Sequence, residues 1–144
     1  MKKLITLSLL ALILTVANAQ TPPAVLKAFN SSFHDAQQVE WFSSNDNYVV
    51  HFQHDGVSMV ITYDKFGTLQ GSKRISEKET LLPLSVLHEL KQRYSDKKVT
   101  LVTERFEDGM ITYNIQLQND KQIWIVSATT NGSFAVLEKM NKQG

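Results

Sequence analysis

Hydrophobic positions along this chain change period twice, each time in the same order. Val25, Leu26, Phe29 and Phe33 fall at i, i+1, i+4 and i+8, one face of a helix. Thr21 stands where a cap is expected, and Pro22 or Pro23 suits the first helical turn. Leu84, Leu87, Leu90 and Tyr94 present a second helical face, with Pro83 at its start. After each helix come four short segments in which apolar and polar residues alternate between turn signals, the pattern of an antiparallel meander.

The two runs are copies of one unit, residues 22–74 and 83–139. Pro22, Val25 and Leu26 recur 61 positions later as Pro83, Val86 and Leu87, whereas Tyr48, Gln53, Asp55 and Gly67 recur 65 positions later as Tyr113, Gln118, Asp120 and Gly132. The change of offset predicts a slightly longer loop or strand in the second copy. Repeats at this period set equivalent hydrophobic faces side by side.

Turn chemistry then fixes the register. A two-residue hairpin turn at Asp55-Gly56 sets Phe52 opposite Met59, Val50 opposite Ile61 and Tyr48 opposite Tyr63. The turn at Asp120-Lys121 pairs Leu117 with Trp124, Ile115 with Val126 and Tyr113 with Ala128. Asp64-Lys65-Phe66-Gly67 suits a type I turn closed by a left-handed glycine, which sets Tyr63 against Leu69. Thr129 to Gly132 repeats it and sets Ala128 against Phe134. Val39 and Trp41 complete the inner face of the first copy, Val99 and Leu101 that of the second, and both tryptophans belong to the core under the helices. The other face carries Phe42, Val49, His51, Gln53, Val60 and Thr62, then Asn114, Gln116, Ile123, Ile125, Ala135 and Leu137. A sheet covered on one side normally shows water a polar face. This one is mixed, and large apolar side chains on an uncovered face mark a contact surface, although strand propensity alone also places aliphatics there.

Composition narrows the class. Lys2 and Lys3 precede the apolar run Leu4 to Val16, and Ala17-Asn18-Ala19 completes the pattern of a cleavable export signal over residues 1–19. The run is shorter than the roughly 20 residues of a membrane-spanning helix, so the expectation is a periplasmic or secreted protein without an integral membrane segment. Residues 20–144 are then one domain, and the absence of cysteine leaves its stability to packing. Setting Lys2 and Lys3 aside from 15 basic side chains leaves 13 against 14 acidic ones. That balance argues against a nucleic-acid partner.

At this point Val39-x-Trp41, Tyr48-x-Val50-x-Phe52, Asp64-x-x-Gly67, Leu82-Pro83 and Tyr113-x-Ile115-x-Leu117, behind an export signal, resemble the PepSY-like family of β-lactamase-inhibitor-like proteins. The resemblance covers nearly the whole mature chain, and its motifs are turn and core positions. It implies an α+β fold, two tandem α-β-β-β-β repeats forming one curved antiparallel eight-stranded sheet with two helices on one face. It also implies that a target is held on the face opposite the helices.

Catalytic readings find no support in the residues. His34, His51, His54 and His88 are the only imidazoles, and none has the spacing of a zinc pair. On one strand His51 and His54 point to opposite faces. Ser85 and His88 lie one helical turn apart without a nucleophile elbow. Asp46, Asp55, Asp64, Asp108 and Asp120 fall in turns, where Asp is favoured for local hydrogen bonding, and there is no glycine-rich phosphate loop. The expectation is a non-catalytic module, without metal or cofactor, that holds a peptide, a protein or a small amphipathic ligand through Phe42, His51, Val60, Ile123, Ile125 and Leu137. Two alternatives stand beside it: a specific inhibitor or accessory protein of an exported enzyme, and a homodimer in which a second copy covers the same face.

Overall fold

The structure, a computed structural model, describes residues 20–142; residues 1–19, expected to be an export signal, lie outside the described residues. The chain runs α1 (Pro23–Ser32), β1 (Gln37–Ser44), β2 (Asn47–His54), β3 (Val57–Asp64) and β4 (Leu69–Ser76). After a 3-10 turn at Glu79–Leu81 it continues as α2 (Leu84–Arg93), β5 (Lys98–Glu107), β6 (Met110–Gln118), β7 (Gln122–Thr129) and β8 (Phe134–Asn141). All eight strands form one open antiparallel sheet in sequence order. The two units join through β4 and β5, and β1 and β8 are its free edges.

Each helix begins on proline. Pro22 and Pro83 occupy the N-cap positions without a side-chain cap, so Thr21 does not cap α1. Proline has no N–H to satisfy and its fixed φ suits the helix start. The α1 face buries Val25 and Phe29 over β2 and β3, where Val50, Phe52, Ile61 and Tyr63 are buried with them. On α2 the buried pair is Val86 and Leu90. Leu84, expected inside, is 81% exposed, because the stripe facing the sheet follows Val86 and its i+4 neighbour.

The hairpin registers read from the turns hold for Phe52↔Met59, Val50↔Ile61 and Tyr48↔Tyr63, and for Leu117↔Trp124, Ile115↔Val126 and Tyr113↔Ala128. Asp55 and Gly56 both have positive φ, as a type I′ turn requires. The extra four residues of the second copy lie in the β5–β6 hairpin, where two more residue pairs separate Val102↔Ile115 from the turn than separate Trp41↔Val50 from its own.

Bulges correct the faces. In β1 the register shifts between Gln37 and Glu40, with Gln38 at φ 52°, and Val39 is left exposed. In β5 Val99 faces Leu117 but Leu101 faces Gln116, so Thr100 is an extra residue and Leu101 turns to the open face. In β8 Glu138, not Leu137, stands opposite Ile125. An inserted residue reverses every side chain beyond it. Trp41 and Trp124 do lie on the helix side, half-buried against their clusters. Lys97 and Lys139 cover the Trp124 ring at 4.9 and 4.5 Å, the stems of long cations serving as its lid.

Polar residues divide the helix side into two cores. Arg74 Nε donates to Glu104 Oε1 at 2.8 Å and Nη2 to Oε2 at 2.6 Å, between the α1 and α2 clusters. Glu104 is only 7% exposed. Its carboxylate holds the Arg74 guanidinium above its ordinary value, while burial, helped by Glu104, pushes the Tyr113 phenol up.

Candidate functional site: the open face of the sheet

Strand pairing aligns the side chains opposite the helices in rows. One row reads Glu40, His51, Val60, Lys73, Arg105 and Thr112 from β1 to β6. The next reads Phe42, Val49, Thr62, Gly71, Glu107 and Met110. Phe42, 51% exposed, sits at the β1 edge with its ring 4.9 Å from that of His51. Val60 pairs directly with His51. Three of the six sequence-derived residues therefore make one apolar corner.

The other three are elsewhere. Ile123 and Ile125 point to the open face from β7, opposite Met140 and Glu138. Leu137 lies in the β8 bulge, 56% exposed and outside the pairing. Glu138 takes the place opposite Ile125 that continuing the register from Ala128 and Phe134 would have given Leu137. About 19 Å of sheet, four strand spacings, separates β3 from β7, so the face has two apolar corners and not one patch.

Between them the β4–β5 seam carries Lys73, Arg105 and Glu107, with Ile75, Leu101 and Met110 as apolar neighbours on the same face. A cleft of about 270 Å³ opens at the β3–β4–β5 seam, lined on the open side by Val60, Thr62, Gly71, Lys73, Arg105 and Glu107. Gly71 shapes it: a Cβ there would stand 3.2 Å from the Phe106 carbonyl oxygen. Lys73 and Arg105 face each other across β4 and β5. Neither was expected at the site. Continuing the alternation from Val60 across the seam would have found both, since Lys73-Arg74 and Glu104-Arg105 place adjacent charges on opposite faces.

A second polar group lies on the helix side. His54, pointing away from His51 as expected, packs its ring 5.5 Å from Phe33. Its Nε2 donates to Asp35 Oδ1 at 3.1 Å, and its Nδ1 lies 3.5 Å from Asp55 Oδ2. A hydrogen bond from its own backbone, with the neighbouring imidazoles, holds the Asp35 carboxyl below the usual carboxylate range. The trio brings three ligand-type atoms within 4.8 Å of one another. Both carboxylates are exposed, and the arrangement ties the α1–β1 loop to the β2–β3 turn; we assign it no cofactor. The Ser85–His88 couple is not a nucleophile and base: Ser85 Oγ donates to the Thr130 carbonyl oxygen at 3.3 Å, and His88 Nε2 pairs with the Gln92 amide at 3.0 Å.

Comparison with known proteins agrees with this architecture. The family model described as "Putative beta-lactamase-inhibitor-like, PepSY-like" matches twice, over residues 13–71 and 72–134. Among solved structures, a BLIP-like protein of Bacteroides fragilis superimposes with a TM-score of 0.60 at 16% identity, covering 86% of this chain and 89% of that one. A DUF2874 family protein of Bacteroides ovatus gives 0.59 at 20% identity, with 85% and 89% covered. A protein of Bacteroides eggerthii titled "putative periplasmic proteins" gives 0.60 at 19%, again with 85% and 89% covered. At these identities the likeness is one of fold. No curated protein matches the sequence.

Proposed function

Since the chain belongs to the PepSY-like, β-lactamase-inhibitor-like family, we propose that it is an exported, non-catalytic binding module that docks a protein or peptide on the open face of its sheet. One observation carries the reading. The helix side buries a core in each half, whereas the opposite side presents Phe42 to solvent at one corner and carries Ile123 and Ile125 at the other. Exposed apolar groups on an uncovered sheet face mark a protein-contact surface. Periplasmic residence fits the export signal read over residues 1–19 and the names of the neighbouring structures. No helix among the described residues is long and apolar enough to cross a membrane.

The BLIP-like neighbour favours a narrower version, an inhibitor or accessory of one exported enzyme. Affinity separates the two. A dedicated inhibitor binds one partner tightly through a few anchor residues, whereas a general peptide holder binds many partners weakly. The test is capture of partners from an envelope extract by residues 20–144, beside the variants Phe42→Lys and Ile125→Lys, with the complex then rebuilt from purified components. Both variants are expected to fold and to lose the partner. Retention of every partner by both folded variants would sink the reading. Sedimentation of the free chain tests the remaining occupant, a second copy on the same face.

A further inference from the structure

The same two strands treat their two faces oppositely. Towards the helices, β4 and β5 pair Arg74 with Glu104 as a bidentate ion pair. One residue away, towards the open side, they pair Lys73 with Arg105. Opposite-strand side chains at one level have Cβ atoms roughly 5 Å apart, and like charges placed so repel. Among the described residues neither cation takes part in an ion pair within 4.0 Å. Along the row they are flanked by Val60 and Thr112, both uncharged. Glu107, the nearest carboxylate by register, lies two residues along β5 opposite Gly71. Gly71 keeps the cleft beside the cations open.

We propose that Lys73 and Arg105 form a carboxylate-binding site at the centre of the docking face, which receives an acidic side chain from the docked protein partner. The inference rests on the docking reading above and adds the chemistry of the partner. A guanidinium offers a carboxylate two parallel N–H donors, and Lys73 adds a point charge from the facing strand. An incoming Asp or Glu removes the repulsion between the two cations, so binding supplies what the free chain lacks. The apolar corners would seat aliphatic or aromatic side chains of the partner on either side of that acid. Such a contact weakens with salt.

The probe is a capped hexaglutamate peptide titrated into the full mature chain, followed by amide chemical shifts. The expected result is saturable shifts confined to residues 71–75 and 103–107, suppressed by 0.5 M sodium chloride and lost in Lys73→Gln/Arg105→Gln. Capped hexalysine should leave these amides unmoved. Independently, the double variant should melt about 1–4 °C higher than wild type, because a repulsion has been removed. Were the double variant to fold poorly, Arg105→Gln alone serves the titration. Unmoved amides in wild type, shifts that persist in the variant, or saturation by inorganic phosphate as readily as by peptide would each overturn the inference. Partner capture lost in Phe42→Lys yet undiminished in Lys73→Gln/Arg105→Gln would overturn it too, while leaving the docking reading intact.

Discussion

The two halves of the sheet share one backbone plan and fill it differently. Under α1 the core is aromatic: Phe29 packs edge-on against Trp41 at 5.3 Å and Phe52 at 5.0 Å, and Phe33 lies 4.8 Å from Phe52. At the equivalent places under α2 stand Leu90, Val102, Leu117 and Tyr94. The missing volume returns at the rim, where Trp124 and Phe134 replace Met59 and Leu69. What a repeat must preserve is therefore total packing and inward direction, and not the residue at each place. The α1 half concentrates its bulk at the centre, and the α2 half spreads it to the edge.

The largest test of that difference is truncation at its centre. Phe52→Ala should cost about 3–5 kcal/mol, and Leu117→Ala, its counterpart, about 2–4 kcal/mol, since a leucine leaves the smaller cavity. Denaturant unfolding of both measures it. A costlier Leu117→Ala would mean that the α2 half carries the stability.

The turns joining the third and fourth strand of each half sharpen the contrast. Gly67 and Gly132 both have φ of +84°, a conformation that costs an alanine about 1–2 kcal/mol. At Gly67 a Cβ would also stand 2.7 Å from the Ala24 carbonyl oxygen, whereas at Gly132 the nearest atom is Glu89 Cγ at 3.6 Å. Gly67→Ala should exceed Gly132→Ala by a further 1–2 kcal/mol or about that, the penalty of overpacking against backbone. Equal thermal shifts would contradict so close a seat for the first turn.

At the seam, Arg74→Met should destabilise by about 2–3 kcal/mol, because it strands the buried Glu104; the figure is lowered from that of a fully buried pair since the Arg74 side chain is 40% exposed. Arg74→Met with Glu104→Leu should recover most of it by merging the two cores. Failure of the double change to recover would give the ion pair a role in orienting the halves.

The smallest effect is a pH difference between the two turns. Asp64 Oδ1 accepts from the Phe66 and Thr68 amides at 2.9 Å each, and these bonds, that of Thr68 foremost, hold its carboxyl below the usual range. A depressed folded-state value stabilises above the unfolded value and loses that contribution as pH falls through the folded one. The second turn uses Asn131, which accepts from the Ser133 amide and does not titrate. Asp64→Asn should keep the geometry and flatten the fall in melting temperature below about pH 4. An unchanged acid profile would remove Asp64 from the account.

Much of this was legible because turn residues state their geometry outright. Asp55-Gly56 and Asp64 to Gly67 fix three strands, and His51 and Val60 consequently fall together as read. Bulges leave no such mark. Thr100 and Leu137 are ordinary strand residues, and each is extruded by a balance of twist, pairing and packing that a local pattern does not contain. That is why Leu101 reversed faces and Leu137 left its place beside Ile125. The cationic pair escaped for another reason: Lys73 and Arg105 meet across the junction between copies, where the repeat offers no internal counterpart to check against.

A sheet built of tandem units and open at both ends is in principle a growing lattice, since β8 of one molecule could accept β1 of another as β4 accepts β5. The β4–β5 joint runs unbroken from Gly71 to Ser76. The terminal strands are interrupted instead, β1 after Gln37 and β8 at Leu137, and β8 carries Glu138 and Lys139 beside its break. Irregular, charged edges disfavour continuation into a neighbour. The inserted residues of β1 and β8, which also shift the register there, thus disfavour edge-to-edge growth of the sheet.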